Sequence, residues 1–258
     1  MSRRVTKSNN RLIMRVFRGL DNLPTFNNAV ATMGSFDGVH CGHRELLRRV
    51  MSKAEELGGE SIVITFDPHP RYVLGTGERM QLLSTLDEKL WLLEQAGIDN
   101  VIIIPFTKEF SQTSPQEFIE KDIARIGIKT LVVGYNHRFG YNKEGDYDFL
   151  EQRSSFSVLM VEQQQMADSK VSSTIIRQAL SRGQVEKAAK LLSHPYIITC
   201  EVASDGVAKD IDSHKLLPAE GTYDATINGK GVELTIDDKR TLTITPAPAK
   251  GKVTIEIK

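Results

Sequence analysis

The amino-acid sequence predicts an α/β protein in which a doubly wound parallel sheet is followed by a small antiparallel β unit. Three observations carry this. From residue 29 to about 192, short apolar runs alternate with helical patterns, as expected for strands buried on both faces with helices packed against them. Gly58, Gly97, Gly127 and Gly183 stand just past four of the helical patterns, where a left-handed residue ends a helix. Beyond His194-Pro195 the apolar period changes to two, and Asn228-Gly229 separates two alternating runs, a strong hairpin signal.

The strands of the first unit are expected at 29–35, 61–66, 101–106, 130–134 and 157–161, each a run of mostly Val and Ile. The helices between and after them are expected at 44–57, 86–96, 115–126, 147–153, 174–182 and 184–192. Ser114-Pro115-Gln116-Glu117 supplies a capping serine, a proline at the first helical position and an acid in the first turn. In the second unit Tyr223, Ala225 and Ile227 face one way, and Val232, Leu234 and Ile236 answer them across the turn. Runs at 242–244 and 253–257 extend the β character, with 204–213 expected as a loop. The division that follows is an N-terminal extension at 1–13, a main domain at 14–195 and a β domain at 196–258.

The chain has 258 residues, enough for one large and one small core. Lys and Arg number 33, and Asp and Glu number 33, so no long-range field favours nucleic acid or a membrane surface. Any phosphate recognition is therefore local. Cys41 and Cys200 form neither a disulfide framework nor a CxxC metal motif, which suits reduced thiols and a cytoplasmic protein. No apolar run approaches the roughly 20 residues of a membrane helix. The first eighteen residues carry Arg3, Arg4, Lys7, Arg11, Arg15 and Arg18 without an acid. They lack the apolar centre of a secretory signal and read as a solvated lead-in.

The stretch "GSFDGVHCGH" at 34–43 places His40 and His43 where the first strand gives way to the first helix. A helix N-terminus offers unpaired N–H groups and partial positive charge, and imidazoles add donors that are neutral or charged near pH 7. Gly38 and Gly42 let the backbone approach a ligand. This combination suits a nucleoside triphosphate attacked at its α-phosphate, where fixed donors meet developing charge. One histidine alone would read as a turn cap or a solvated helix residue; two in HxGH after GxFDG favour the anion site.

The stretch resembles the HxGH signature of the nucleotidyltransferase superfamily, in its flavin-nucleotide branch. "TFDPHP" at 65–70, "VGYNHRFG" at 133–140 and "SSTIIRQALSRGQVEKAAKLLSHPY" at 172–196 resemble other blocks of that branch in the same order. "MRVFRGLDNLP" at 14–24 is similar to its usual start. The chain is thus similar to the bacterial bifunctional riboflavin kinase/FMN adenylyltransferase family. That resemblance implies a Rossmann-like fold and transfer of AMP from ATP, with Mg2+, to FMN, giving FAD and pyrophosphate. It implies catalytic roles for His40, His43 and Arg177. Gly34, Ser35, Phe36, Gly42, Asn136, Arg138, Ser172, Ser173 and Thr174 would contact ATP, and Asp37, Asp67, Pro68 and His69 the flavin side. No protein metal ligands are implied. From the residues alone, "SSTIIR" reads only as a good helix cap, Asn136 and Arg138 equally form a turn, and 67–70 reads as a proline-stiffened connector or a ligand loop, with nothing in the residues to rank the two.

Two departures stand out. Ser35 occupies a position where the family often has Asn. The glycine-rich PTAN segment of the family's kinase module is missing between Glu201 and Lys215, "EVASDGVAKDIDSHK", and the chain stops soon after residue 250, so the β unit reads as a shortened kinase module without riboflavin kinase activity. No GxxxxGK[ST] compensates. A shortened β unit is compatible with a protein partner. Two other readings stay open: a nucleotidyltransferase for a different phosphorylated acceptor, and a non-catalytic flavin-nucleotide-binding paralogue.

Overall fold

The computed structural model describes residues 13–77, 80–162 and 171–257. The expected extension lies outside them, apart from Ile13. In chain order the first unit runs β1 (Arg15–Arg18), β2 (Val30–Met33), α1 (Cys41–Glu56), β3 (Ser61–Asp67), α2 (Pro70–Val73), α3 (Leu86–Ala96) and β4 (Asn100–Pro105). It continues with α4 (Pro115–Glu117), α5 (Ala124–Ile126), β5 (Thr130–Gly134), α6 (Tyr147–Arg153), β6 (Ser157–Val161), α7 (Ser173–Leu180) and α8 (Val185–Leu192). Six strands form a parallel sheet in the order β1-β4-β3-β2-β5-β6. All four residues of β2 are buried, as its central place requires. Chain direction across the sheet reverses at β2, between β3 and β5, and a ligand crevice is expected beyond the strand ends at such a point.

The helix expected at 115–126 is not regular. Its middle, Phe118–Ile123, is π-helical, flanked by the single turns α4 and α5. The wider turn brings Phe118 and Ile123, five residues apart, to the sheet face together, and both are buried. Four elements were not expected from the sequence: β1, α2, the strand that opens the second unit and the short strand that follows it.

That unit contains β7 (Tyr196–Val202), β8 (Ala208–Lys209), β9 (Gly221–Ile227), β10 (Lys230–Ile236), β11 (Leu242–Thr245) and β12 (Gly251–Ile257). The short β8 interrupts the loop expected at 204–213. The strands pair antiparallel in the order β11-β10-β9-β12-β7-β8. A bridge between Val207 and Thr243 and the bond from Ile244 N to Gly206 O at 3.0 Å join the two outer strands, closing the sheet into a small barrel. Asn228 (φ 51°) and Gly229 (φ 75°) both take the left-handed conformation that a tight hairpin needs.

Ile176, Leu180, Ala188 and Leu192 of α7 and α8 share one core with Ile198, Leu234 and Ile255 of the barrel. A second seam joins the units more directly. Leu82 N donates to His214 O at 2.7 Å, and Leu216 N to Leu82 O at 2.9 Å. Between them Lys215 buries its ammonium against Glu88 of α3 at 2.7 Å, with side-chain exposures of 1% and 0%. No helix among the described residues is long and apolar enough to cross a membrane.

Candidate functional site

β2 ends at Met33, and Gly34 N still bonds to Ile64 O at 3.0 Å. The chain then makes a tight loop in which Phe36, Gly38 and Val39 have φ of 49°, 77° and 41°. At Gly38 glycine is compulsory, because an added Cβ would lie 2.9 Å from Leu83. The loop delivers His40 to the N-cap of α1, where its Nδ1 accepts from His43 N at 3.4 Å. The neutral ring therefore carries its proton on Nε2 and offers a donor outward.

The His40 and His43 rings stack at 3.7 Å with a 14° tilt. Burial holds His40 at a pKa of about 4 and pushes His43 well below the ordinary histidine range, so both are neutral at pH 7. Among the described residues, His43 Nδ1 is buried without a hydrogen-bond partner. A hydrogen bond from a ligand in the cleft would satisfy it.

Two clefts open beyond the strand ends and meet over Gly34 and Ser35. The first is lined by Phe36, His40, Gly42, His43, Asn136, Ser172 and Ser173. It faces the first turns of both α1 and α7; Ser172 caps α7 by accepting from Ile175 N at 3.4 Å. Polar groups and two helix N-termini suit it to an anion. The second cleft is mostly apolar, with Phe66, Phe106, Phe110, Phe118 and Phe139 on its walls and His69 and Arg138 at its edge. Neighbouring rings sit at spacings such as 5.5 Å for Phe66–Phe106 and 5.9 Å for Phe118–Phe139, a contiguous aromatic wall suited to a flat ring system.

Most sequence-chosen residues gather here; others do not. Asp37, expected on the flavin side, faces inward at 2% exposure. Its Oδ1 accepts from Leu83 N at 2.9 Å and Ser84 N at 3.1 Å, and its Oδ2 pairs with Arg177. A carboxylate so saturated organises the loop and lines neither cleft, unlike the place the sequence suggested for it. Arg177, expected to touch phosphate, spends its guanidinium on Asp37 and on Gln81 O at 2.7 Å. Thr174 is exposed on α7 and lines neither cleft. Asp67 ends β3, Pro68 follows it, and neither lines a cleft; the next residue, His69, lines the aromatic one. Arg138 lines the aromatic cleft rather than the histidine cleft and pairs with Asp146 at the rim. The aromatic wall and His137 went unnoticed in the sequence.

Among the described residues no group of three or more His, Cys, Asp or Glu side chains could hold a metal ion. A magnesium ion here would take most of its oxygen ligands from a bound phosphate chain rather than from these side chains.

His40, His69 and His137 all titrate near pH 4 because burial disfavours their charged forms. In the unfolded chain each takes a proton near pH 6.5. The folded state is therefore expected to lose several kcal/mol of stability as pH falls from about 6.5 to 4, and little more from these groups below that. Denaturant midpoints across this window check it. His137→Phe should flatten part of the slope, and an unchanged slope would refute the assignment to His137.

Residues 23–175 match the family described as FAD synthetase. The chain is 34% identical over 172 residues to the bifunctional riboflavin kinase/FMN adenylyltransferase of Listeria monocytogenes, covering 66% of this chain and 55% of that protein. It thus spans about half the length of that relative. It is 32% identical over 225 residues to the FAD synthetase of the same organism, covering 81% of this chain and 88% of the relative. A crystal structure titled macrolide-efflux protein from Streptococcus pneumoniae superposes with a TM-score of 0.78 at 23% identity, covering 95% of this chain and 90% of that one. That likeness shows a shared fold across both units.

Proposed function

The chain belongs to the FAD synthetase family, and on that premise we propose that it transfers the adenylyl group of ATP to the phosphate of FMN, giving FAD and pyrophosphate. The observation that carries this reading is the meeting of a polar, histidine-lined cleft with an aromatic one over Gly34 and Ser35. The triphosphate lies against His40, His43, Gly42 and the Ser172-Ser173 turn. The flavin ring lies against the phenylalanines, with its phosphate pointing to the junction.

An oxygen of the FMN phosphate attacks the α-phosphorus, and the bond to the pyrophosphate oxygen breaks. The nucleophile is already an anion, so no protein base is required. The chain's contribution is positioning and charge stabilisation. The His40 Nε2–H and the first amides of α1 donate to α-phosphate oxygens as charge moves through them. Arg177, through Asp37, fixes the loop that presents His40. Asn136, at the end of β5, faces the nucleotide.

We further propose that the chain lacks riboflavin kinase activity, since residues 201–215 hold no glycine-rich phosphate segment. The test is purified protein with ATP and magnesium, plus FMN in one tube and riboflavin in another. FAD from FMN and none from riboflavin is expected. FAD or FMN formed from riboflavin would overturn the single activity, and no FAD from FMN would overturn the adenylyltransferase reading.

A further inference from the structure

The two most buried lysines of the described residues sit differently. Lys215 has the carboxylate of Glu88 beside it. Lys89, on the same helix as Glu88 and 5% exposed, has no carboxylate within ion-pair distance among the described residues. Its ammonium donates to one neutral acceptor, Thr65 Oγ1, at 3.2 Å. An ammonium carries three donors, and a buried charge held by one hydroxyl is costly unless a counter-charge arrives.

Its position says where that counter-charge would sit. Thr65 ends the buried part of β3, and its hydroxyl donates onward to Ser35 O at 3.4 Å. Ser35 forms the shared wall of the two clefts. Burial above all depresses His43 in the histidine cleft and His69 in the aromatic cleft, and the Lys89 charge adds to the shift of both. Asp37 and Asp67 are the acids near enough to favour its charged form, and Asp37 is already engaged by Arg177. Burial outweighs them and holds the Lys89 pKa at about 8. The ammonium thus lies under the junction, between a cleft for a triphosphate and a cleft for a flat ring.

We propose that Lys89 is the counter-charge for a phosphomonoester at the junction of the clefts, and so the residue that makes the site prefer a phosphorylated flavin to its dephosphorylated form. This rests on the FMN adenylyltransferase reading and deepens it. Two polyanions must meet for transfer to occur, and a fixed cation beneath the acceptor phosphate offsets their repulsion. Without a ligand the same buried charge destabilises the fold.

The experiment measures binding of FMN and of riboflavin, without ATP, to the wild type, Lys89→Met and Lys89→Arg, together with thermal unfolding of each. The wild type is expected to bind FMN at least about tenfold more tightly than riboflavin, the size of one charge-assisted contact. Lys89→Met should bring FMN affinity down to that of riboflavin, leave riboflavin binding unchanged, and unfold at a higher temperature than wild type. Lys89→Arg should keep part of the preference. Should Lys89→Met not fold, Lys89→Gln takes its place. A methionine or glutamine variant that keeps the wild-type preference overturns the proposal. So does equal loss of both flavins, which marks a packing role, or a wild type without preference. A wild type that binds neither flavin instead overturns the reading of the aromatic cleft, and this proposal with it.

Discussion

His40→Ala is expected to lower the rate of FAD formation by about 10²–10³ while leaving the fold intact. The residue sits at the N-cap of α1 with φ −64° and ψ 172°, a backbone conformation that alanine adopts freely. Its capping bond, at 3.4 Å, is long, so the loss of helix stability is about 1 kcal/mol or less. What disappears is the donor that the proposed reaction sets at the α-phosphate, on a ring already neutral at pH 7, its pKa held at about 4 by burial. A fixed neutral donor stabilises charge that grows in the transition state, so the loss should fall on kcat and hardly on the KM for ATP. The same neutrality means that wild-type kcat should not depend on a histidine titrating near 6.5. Steady-state kinetics on the variant decide it: wild-type kcat would refute the role of His40, and a matching rise in KM alone would make it a ground-state binding residue.

The sequence spoke clearly where structure is local. β2 through β5 are largely buried and read as apolar runs, the half-exposed edge strand β6 reads as one too, and α3, capped by Thr85 and ended by Gly97, has the expected bounds. That His40 and His43 stand together was legible because their spacing at a strand end already places both rings at the start of α1. What stayed hidden depends on distant chain. β1 has only four residues, three of them exposed, and is a strand because β4 pairs with it. β7 is a short apolar run without a turn signal, and its partner β12 lies some fifty residues on. Asp37 stands three residues before His40, yet the left-handed loop turns its carboxylate towards Leu83, Ser84 and Arg177. Sequence proximity gave no warning of that direction. The aromatic wall is assembled from five separated segments, and nothing in any one of them marks it. Glu88 and Lys89 look like an ordinary charged pair on a helix surface, and only the tertiary structure shows both side chains inside.

Lys215→Met is expected to destabilise the protein by about 3–5 kcal/mol, the usual cost of removing one member of a buried ion pair. The ammonium bonds to Glu88 at 2.7 Å and to Leu83 O at 2.7 Å, and lies 4.2 Å from the centre of the Tyr196 ring. Methionine fills similar space but leaves Glu88 charged in a fully buried place. Glu88 cannot turn away, because its Oε2 accepts from Thr85 N at 2.9 Å and its Oε1 from Thr199 N of the barrel at 2.8 Å. The damage should reach the site as well. Lys215 fixes the Leu83 carbonyl, Leu83 N fixes Asp37, and Asp37 fixes Arg177 and the loop before His40. Adenylyl transfer should therefore weaken along with stability. A second variant identifies the cause. Replacing both partners, Lys215→Met with Glu88→Gln, removes the unpaired carboxylate and should recover part of the loss. Denaturant unfolding of wild type and both variants measures this. A double variant no more stable than Lys215→Met would assign the loss to packing around Tyr196, and no deficit in the single variant would show that the pair holds nothing together.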